Sequence, residues 1–136
     1  MTPPRILVVD DSKITRRVVS AIVNSRWTVC GEAQDSKSAL KQFRELKPDL
    51  VLLDLAMPDI DGLEVGRKMH AINPLVPLIL FTLLDPWGLE APARQAGISR
   101  VISKAQSWEL LKGIEEVVAS LETSRQQAKS SRAAAK

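Results

Sequence analysis

Five short runs of mostly branched apolar residues divide this chain into segments of similar length. A continuous apolar run is typical of a strand that is covered on both faces, as in a parallel sheet between layers of helices. The runs predict strands at Arg5–Val9, Trp27–Ala33, Asp49–Asp54, Pro77–Leu83 and Arg100–Ser103. The second run is more polar than the others, so we expect that strand nearer an edge of the sheet.

The segments between these strands carry apolar residues at the spacing of an amphipathic helix. They predict helices at Ser12–Ser25, from Ser36 or Ser38 to Lys47, at Leu63–Ile72, from Pro92 to Gly97 and at Ser107–Leu121. One face of the first helix is expected to carry Ile14, Val18, Val19, Ile22 and Val23. The alternation of strands and helices indicates an α/β fold, a flavodoxin-like, doubly wound parallel sheet of five strands with five helices in three layers.

The length of 136 residues is that of one domain, which we place at residues 1–121. The segment 122–136 lacks apolar periodicity and is expected to be an extension of the last helix, a linker or an artificial remnant. It holds four basic residues and one acidic residue, whereas residues 1–121 hold 15 of each, so this tail supplies the whole net charge of +3. The body has no basic stripe with interleaved aromatic residues, and nucleic acid is therefore not an expected partner of this chain.

No apolar run approaches the roughly 18–20 residues that a membrane-spanning helix needs. The first residues, Met1 to Arg5, lead directly into a strand and do not resemble a signal peptide. We therefore expect a cytoplasmic protein that does not enter a membrane.

Two of the predicted strands end in carboxylates. Asp10 and Asp11 follow the first strand, and Asp54 ends the third. Because ligands of parallel sheets bind outside the carboxyl ends of the strands, we expect the three acids to crowd one crevice. Like charges repel one another there unless a cation joins them, and oxygen ligands of this kind suit Mg²⁺. The plainer alternative is that Asp10, Asp11 and Ser12 cap the next helix while Asp54 begins a loop.

Two further polar residues are expected at the same edge of the sheet. Thr82 lies near the end of the fourth strand, and Lys104 directly follows the fifth. Mg²⁺ and an ammonium group neutralise phosphate oxygens, and a hydroxyl group donates a hydrogen bond to them. A carboxylate can itself be the nucleophile and become an aspartyl-phosphate. The set is therefore suited to a phosphoryl group.

Four motifs, in this order, resemble the receiver domain of bacterial two-component response regulators, and the resemblance covers roughly residues 4–121. They are Val8-Val9-Asp10-Asp11-Ser12, the stretch Leu53-Asp54-Leu55-Ala56-Met57-Pro58-Asp59-Ile60-Asp61-Gly62, Phe81-Thr82 and Ser103-Lys104-Ala105. The resemblance implies a phosphorylation-dependent signalling switch, not a metabolic enzyme. It also implies a histidine kinase, a histidine phosphotransfer protein or a small molecule as the phosphodonor.

The same resemblance assigns a role to each residue that handles the phosphoryl group. Asp54 is the expected phosphoacceptor, Lys104 is expected to contact the phosphoryl group, and Thr82 is expected to move toward it on activation. The loop after the fourth strand then shifts. A surface within residues 86–121 is expected to change its preference for a protein partner.

The resemblance also implies a set of ligands for Mg²⁺. Asp11 is the expected direct ligand, together with Asp54, and Asp10 is expected to hold the metal mainly through water. The backbone carbonyl group of Ala56 is expected to complete the protein ligands.

Several positions depart from the pattern of the family. Val101 stands where many receivers carry an aromatic switch residue, so coupling through the movement of a ring is not expected. Leu83 stands where a small residue is more usual, and we hypothesise that its bulk slows small phosphodonors or attacking water. Ala56 and Leu84 offer no side-chain acid or amide to position water, which favours a long-lived phosphoryl group.

Two other functions remain open. The chain is alternatively the receiver half of a DNA-binding response regulator, which the residue Ala105 after Lys104 and the linker-like tail favour. A Mg²⁺-dependent phosphatase with Asp54 as its nucleophile is less favoured, because such enzymes need an acid at the position where Ala56 stands.

Overall fold

A single parallel sheet organises the molecule. The computed structural model describes residues 3–83, 88–104 and 108–134, with side chains described as far as residue 126. The strands lie in the order β2-β1-β3-β4-β5. Their bounds are β1 Arg5–Val9, β2 Thr28–Ala33, β3 Leu50–Leu53, β4 Leu78–Thr82 and β5 Arg100–Ser103. The predicted fold class is confirmed, and β2 lies at an edge of the sheet, as its polarity indicated.

Helices cover both faces of this sheet. Within the described residues their bounds are α1 Lys13–Asn24, α2 Ser36–Leu46, α3 Gly62–Ile72, α4 Glu90–Gln95 and α5 Trp108–Ala134. Successive residues of a strand point to opposite faces, so the strands contribute to two separate cores. One core includes residues of α2, α3 and α4, and the other includes residues of α1 and α5. The sheet is therefore the middle of three layers.

The buried face of α1 agrees with the prediction at Val19, Ile22 and Val23 and differs from it at two positions. Val19 is buried, but Ile14 and Val18 are 77% and 55% exposed, although their spacing predicts one face for all three. The buried side of the helix includes Arg16, whose guanidinium group donates a hydrogen bond to the backbone carbonyl group of Asp10. The buried side of this helix therefore combines apolar packing with a polar contact at the end of β1.

The start of α4 is also different. The helix begins at Glu90, two residues before Pro92, and ends at Gln95. A proline in the first turn is tolerated because the N–H group that it lacks has no acceptor within the helix. The chain then turns through Gly97, whose φ of +86° suits glycine.

The last helix is longer than predicted. α5 continues past Leu121 to Ala134, so this part of the tail extends the helix, one of the three possibilities that the sequence left open. An ion pair between Arg125 and Asp49, 2.6 Å from Nη2 to Oδ1, joins the extension to the start of β3. No helix in the described part of the chain is long and apolar enough to span a bilayer.

Candidate functional site

Three carboxylates meet at the carboxyl edge of the sheet. β1 and β3 are neighbours with Val9 opposite Leu53, so the next residues, Asp10 and Asp54, emerge side by side. Asp11 follows, and one carboxylate oxygen from each of the three side chains lies within 4.8 Å of the others. Asp10 and Asp54 are only 3% and 5% exposed, whereas Asp11 is exposed. The structure therefore brings together the three acids that the sequence placed at this edge.

Asp10 is fixed at both its backbone and its side chain. Its Oδ1 accepts a hydrogen bond from the N–H group of Ser12 at 2.9 Å, and its Oδ2 accepts one from Lys104 at 2.7 Å. Its own N–H group donates to the carbonyl group of Ala33 at 3.0 Å, and its carbonyl group accepts from Arg16 at 2.7 Å. Ser12 is the N-cap residue of α1, so the capping role considered as an alternative is present beside the acidic cluster.

Lys104 bridges the two buried acids. Its Nζ lies 2.7 Å from Oδ2 of Asp10 and 3.2 Å from Oδ1 of Asp54, and 6.0 Å from the centroid of the Phe81 ring. Burial alone would lower the pKa of Lys104, but the hydrogen bond and charge of Asp10, reinforced by Asp54, raise it above its ordinary value. The ammonium group is therefore charged at neutral pH, and it is held in a charge-assisted hydrogen bond.

Asp54 lies in a less favourable environment for a negative charge. Burial raises its pKa, and the negative charge of Asp10 raises it further. Lys104 and a hydrogen bond from the backbone N–H group of Ala56 lower the pKa, but they do not cancel the increase. One ammonium group faces two buried carboxylates, so a further cation at this edge is electrostatically favourable.

The donor set suits Mg²⁺. This ion prefers oxygen ligands, takes one or two carboxylates from a protein and keeps several of its waters. The clustered oxygens of Asp10, Asp11 and Asp54 provide such ligands, and the exposure of Asp11 leaves water access to the cluster. The participation of the Ala56 carbonyl group stays a prediction.

The other predicted site residues lie on the neighbouring strands. Thr82 is buried at the end of β4, opposite Ser103 of β5. Leu83 is 76% exposed, so its proposed effect on access to Asp54 stays a prediction. Val101 is partly buried and packs against the core that contains α3 and α4. Outside the described residues lie Leu84, Ala105 and the parts 86–87 and 105–107 of the expected output surface.

The loop that follows Asp54 returns closely to the backbone of that residue. The N–H group of Gly62 donates to the carbonyl group of Leu55 at 2.7 Å. A Cβ atom on Gly62 would lie 2.1 Å from the carbonyl oxygen of Asp54, a distance that real Cβ atoms do not adopt. A glycine at this position therefore allows the close approach of α3 to the end of β3.

Two polar contacts near this edge were not predicted. One is the hydrogen bond from Arg16 to Asp10, which depends on the rotation of α1 about its axis. The other joins Asp59, in the loop after β3, to Ser36 at the start of α2. Since 23 positions separate these two residues, no local spacing in the sequence indicates their contact.

Sequence comparison relates the chain to known proteins. The sequence model of the response regulator receiver domain matches residues 6–115. The chain is 34% identical over 101 residues to the chemotaxis protein CheY of Listeria monocytogenes, covering 74% of this chain and 85% of that protein. It is 38% identical over 104 residues to a protein-glutamate methylesterase/protein-glutamine glutaminase of a Nocardioides species, covering 74% of this chain and 28% of that protein. The chain thus spans about a quarter of the length of such methylesterases.

Solved structures show the same fold. A two-component response regulator of the LuxR family from Aurantimonas sp. matches with a TM-score of 0.83 and 29% identity, covering 88% of this chain and 87% of that chain. The response regulator domain of Thermotoga maritima CheB matches with a TM-score of 0.76 and 29% identity, covering 84% of this chain and 95% of that chain. A CheY-like receiver domain protein from Methanospirillum hungatei has a TM-score of 0.83 at 24% identity, covering 90% of this chain and 99% of that chain.

Proposed function

The chain belongs to the response regulator receiver domain family, and from this premise we propose that Asp54 accepts a phosphoryl group in a two-component or phosphorelay system. The domain then acts as a switch that alters its contacts with other proteins, and we expect it in the cytoplasm without a membrane partner. The observation that supports this function is the buried cluster of Asp10, Asp54 and Lys104 at the carboxyl edge of the sheet.

Asp54 supplies the nucleophile. One of its carboxylate oxygens attacks the phosphorus atom of a phosphohistidine on a histidine kinase or a histidine phosphotransfer protein. A P–O bond forms while the P–N bond breaks, and the electron pair of the broken bond stays with the imidazole ring, which takes up a proton. Lys104, 3.2 Å from Oδ1 of Asp54, neutralises charge on the transferred oxygens.

The acidic cluster is the proposed magnesium site. Asp10, Asp11, Asp54 and the carbonyl group of Ala56 are the groups that would hold Mg²⁺, which when bound supplies charge neutralisation for the phosphoryl oxygens. Because the carboxylate of Asp10 is already hydrogen-bonded to Ser12 and Lys104, we expect it to act mainly through water. Asp11 is exposed and is the better candidate for direct ligation.

Movements of Lys104 and Thr82 are the proposed first steps of the switch. The phosphoryl group adds a charge of roughly −1 to −2 at Asp54. Because Nζ of Lys104 lies closer to Asp10 than to Asp54, this charge is expected to draw the ammonium group toward Asp54. Movement of the Thr82 hydroxyl group toward the phosphoryl oxygens would displace the chain after β4, where Leu83 is exposed. The altered surface is expected within residues 86–121.

A second candidate is the receiver part of a longer regulator. Two observations favour it: the chain spans only about a quarter of its methylesterase relatives, and it resembles a regulator of the LuxR family. Asp54 would keep the same chemistry, and the output would be a DNA-binding or enzymatic domain. A phosphatase that uses Asp54 as its nucleophile is less supported, because Ala56 offers no acid to protonate a leaving group.

Intact-mass measurement after incubation of the full chain with acetyl phosphate and Mg²⁺ tests the proposal. The wild type should gain one phosphoryl group, and Asp54→Asn should gain none. Asp61→Asn is the matched control, because Asp61 caps α3 in the same loop and asparagine can keep that cap. The proposal is wrong if Asp54→Asn is labelled like the wild type. It is also wrong if the wild type accepts no phosphoryl group from acetyl phosphate or from a phosphorylated histidine phosphotransfer protein.

Beryllofluoride with Mg²⁺ tests whether a phosphoryl group at Asp54 changes the contacts of the domain with other proteins. Bound at Asp54, this phosphoryl mimic should change which proteins the chain captures, and the change should be absent in Asp54→Asn. Capture that is the same with and without beryllofluoride would contradict a switch at this site.

A further inference from the structure

Asp59 is exposed, yet its carboxylate is tied to another part of the molecule. It lies in the loop between β3 and α3 and accepts the backbone N–H group of Ser36 at 3.1 Å and 3.2 Å to its two oxygens. It also accepts the hydroxyl group of Ser36. Its Oδ1 further accepts the N–H group of Ile60 at 3.0 Å. The contact therefore joins the loop to the first residue of α2.

Two carboxylates accept hydrogen bonds from backbone N–H groups at the start of α2. N–H groups in the first turn of a helix have no partner within it. Asp35, the N-cap residue, accepts the N–H group of Ser38 at 2.8 Å, while Asp59 accepts that of Ser36. Asp35 thus stabilises the helix alone, whereas Asp59 fixes the helix and the loop to each other.

The tied loop is the one that carries Ala56. The backbone N–H group of Ala56 lowers the pKa of Asp54, and the ends of the loop are joined by the hydrogen bond from Gly62 to Leu55 at 2.7 Å. Between these points the contact of Asp59 with α2 restrains the middle of the loop. Ala56 is itself exposed, so its position depends on these hydrogen bonds more than on packing.

We infer that Asp59 and Ser36 form a positioning pair that holds the loop of Ala56 in place and thereby sets Mg²⁺ affinity and the rate of phosphorylation at Asp54. This inference rests on the function proposed for Asp54. Asp59 is not in the acidic cluster, so it acts through the loop. The Ser36 hydroxyl group, followed by the N–H groups of Ser36 and Ile60, lowers the pKa of Asp59 to about 2, so the pair is intact at neutral pH.

Mg²⁺ titration of the full chain by isothermal calorimetry tests the inference with two matched variants. Asp59→Ala should weaken Mg²⁺ binding about tenfold, the lower end of the effect of outer-shell partners on metal affinity. Asp35→Ala removes the other carboxylate at the same helix terminus and should leave the affinity within about twofold of the wild type, because that carboxylate bonds Ser38 within the helix. Ser36→Ala keeps the backbone N–H group and should fall between them, and it serves as a second test if Asp59→Ala does not fold.

Amide hydrogen exchange of the metal-free chain gives a readout that needs no metal. Exchange at Ala56 and Gly62 should be faster in Asp59→Ala than in the wild type, and unchanged in Asp35→Ala. Equal effects of the two variants on Mg²⁺ affinity, or wild-type affinity in a folded Asp59→Ala, would overturn the positioning role. A wild-type chain that neither binds Mg²⁺ nor accepts a phosphoryl group would instead overturn the function of Asp54.

Discussion

The two edges of the sheet hold ion pairs of similar length but of different burial. At the carboxyl edge, Lys104 lies 2.7 Å from Asp10, and neither side chain is more than 11% exposed. At the amino edge, Arg125 lies 2.6 Å from Asp49, and the two side chains are 52% and 25% exposed. Distance alone would rank these pairs as equals. Their surroundings separate them, since water screens the second pair and largely leaves the first unscreened.

The two edges also differ in their balance of charge. Asp49 and Arg125 neutralise each other, whereas Lys104 faces both Asp10 and Asp54. Burial, and then the negative charge of Asp10, raise the pKa of Asp54, and this environment favours an additional cation. The carboxyl edge therefore holds buried charge that is only partly compensated, whereas the ion pair at the amino edge joins the extension of α5 to the start of β3.

Removal of Lys104 should have the largest effect on stability. Lys104→Ala leaves two buried carboxylates without their cation, and loss of one partner of a buried pair destabilises by several kcal/mol. Because Asp54 can take up a proton in response, we expect a loss of about 3 kcal/mol, the lower end of that range. Urea denaturation without metal measures it, and added Mg²⁺ should restore part of the loss. A loss as small as that of an exposed pair would show that burial does not distinguish the edges.

Gly62→Ala should rank second. The new Cβ atom would meet the carbonyl oxygen of Asp54, a backbone atom that cannot move aside, so we expect a loss of about 2 kcal/mol. Gly66→Ala is the matched control in the same helix, because its Cβ would meet the flexible tip of Ile98 at 3.0 Å. We expect the control to lose less than about 1 kcal/mol, with urea denaturation as the measurement. Equal losses would mean that the approach of α3 to Asp54 is not tighter than its packing further along.

The sequence was sufficient to predict which residues lie at the carboxyl edge, because each of them follows a strand. Strands that are buried on both faces are marked by unbroken apolar runs, and parallel strands share a direction. The side chains that follow β1, β3 and β5 therefore had to lie at one edge, where Lys104 contacts Asp10 and Asp54 although β4 separates β5 from β3. Their positions needed no knowledge of how the helices pack.

Contacts that depend on the rotation or length of a helix were not predictable in the same way. Ile14 and Val18 fit the apolar stripe of α1, yet both are exposed, while Arg16 of the same helix contacts Asp10. Asp59 and Ser36 meet only because α2 and the loop after β3 lie side by side in three dimensions. The tail offered no apolar spacing, so its continuation of α5 to Ala134 could only be one of several possibilities.

Asp54→Asn should act in the opposite direction from Lys104→Ala. A carboxyl group whose folded-state pKa is raised binds protons more tightly in the folded protein, so stability falls as pH rises from the unfolded value of about 3.9 through the folded value. At a pH above both pKa values, the metal-free wild type has lost all of the stability that the protonated Asp54 provides. Asp54→Asn has no such loss and should therefore be more stable. Urea denaturation in a chelator across this pH range measures the difference. Equal stability of the two proteins at neutral pH would contradict the raised pKa of the buried Asp54 carboxyl group.

Asp59→Asn is a control in the same loop, and its effect on stability at neutral pH should be opposite to that of Asp54→Asn. The pKa of Asp59 is lowered to about 2, so its contribution is present above the unfolded value and is lost as pH falls toward 2. This variant should therefore be less stable than the wild type at neutral pH, and the difference should shrink in acid. A gain in stability at neutral pH would show that the contact with Ser36 does not favour the ionised carboxylate.

Arg125→Ala should change stability least, by no more than about 0.5 kcal/mol, because the pair is exposed and alanine favours the helix. Arg125 is a cleaner test than Asp49, whose other oxygen accepts the N–H group of Arg5 at 2.8 Å. Urea denaturation at low and high salt provides the measurement, and salt should reduce even this small effect. A loss that approaches that of Lys104→Ala and persists in high salt would mean that the extension of α5 contributes to the stability of the domain. The exposed ion pair at the amino edge would then stabilise the fold as much as the buried pair does. Burial would no longer explain a larger effect of charge on stability at the carboxyl edge.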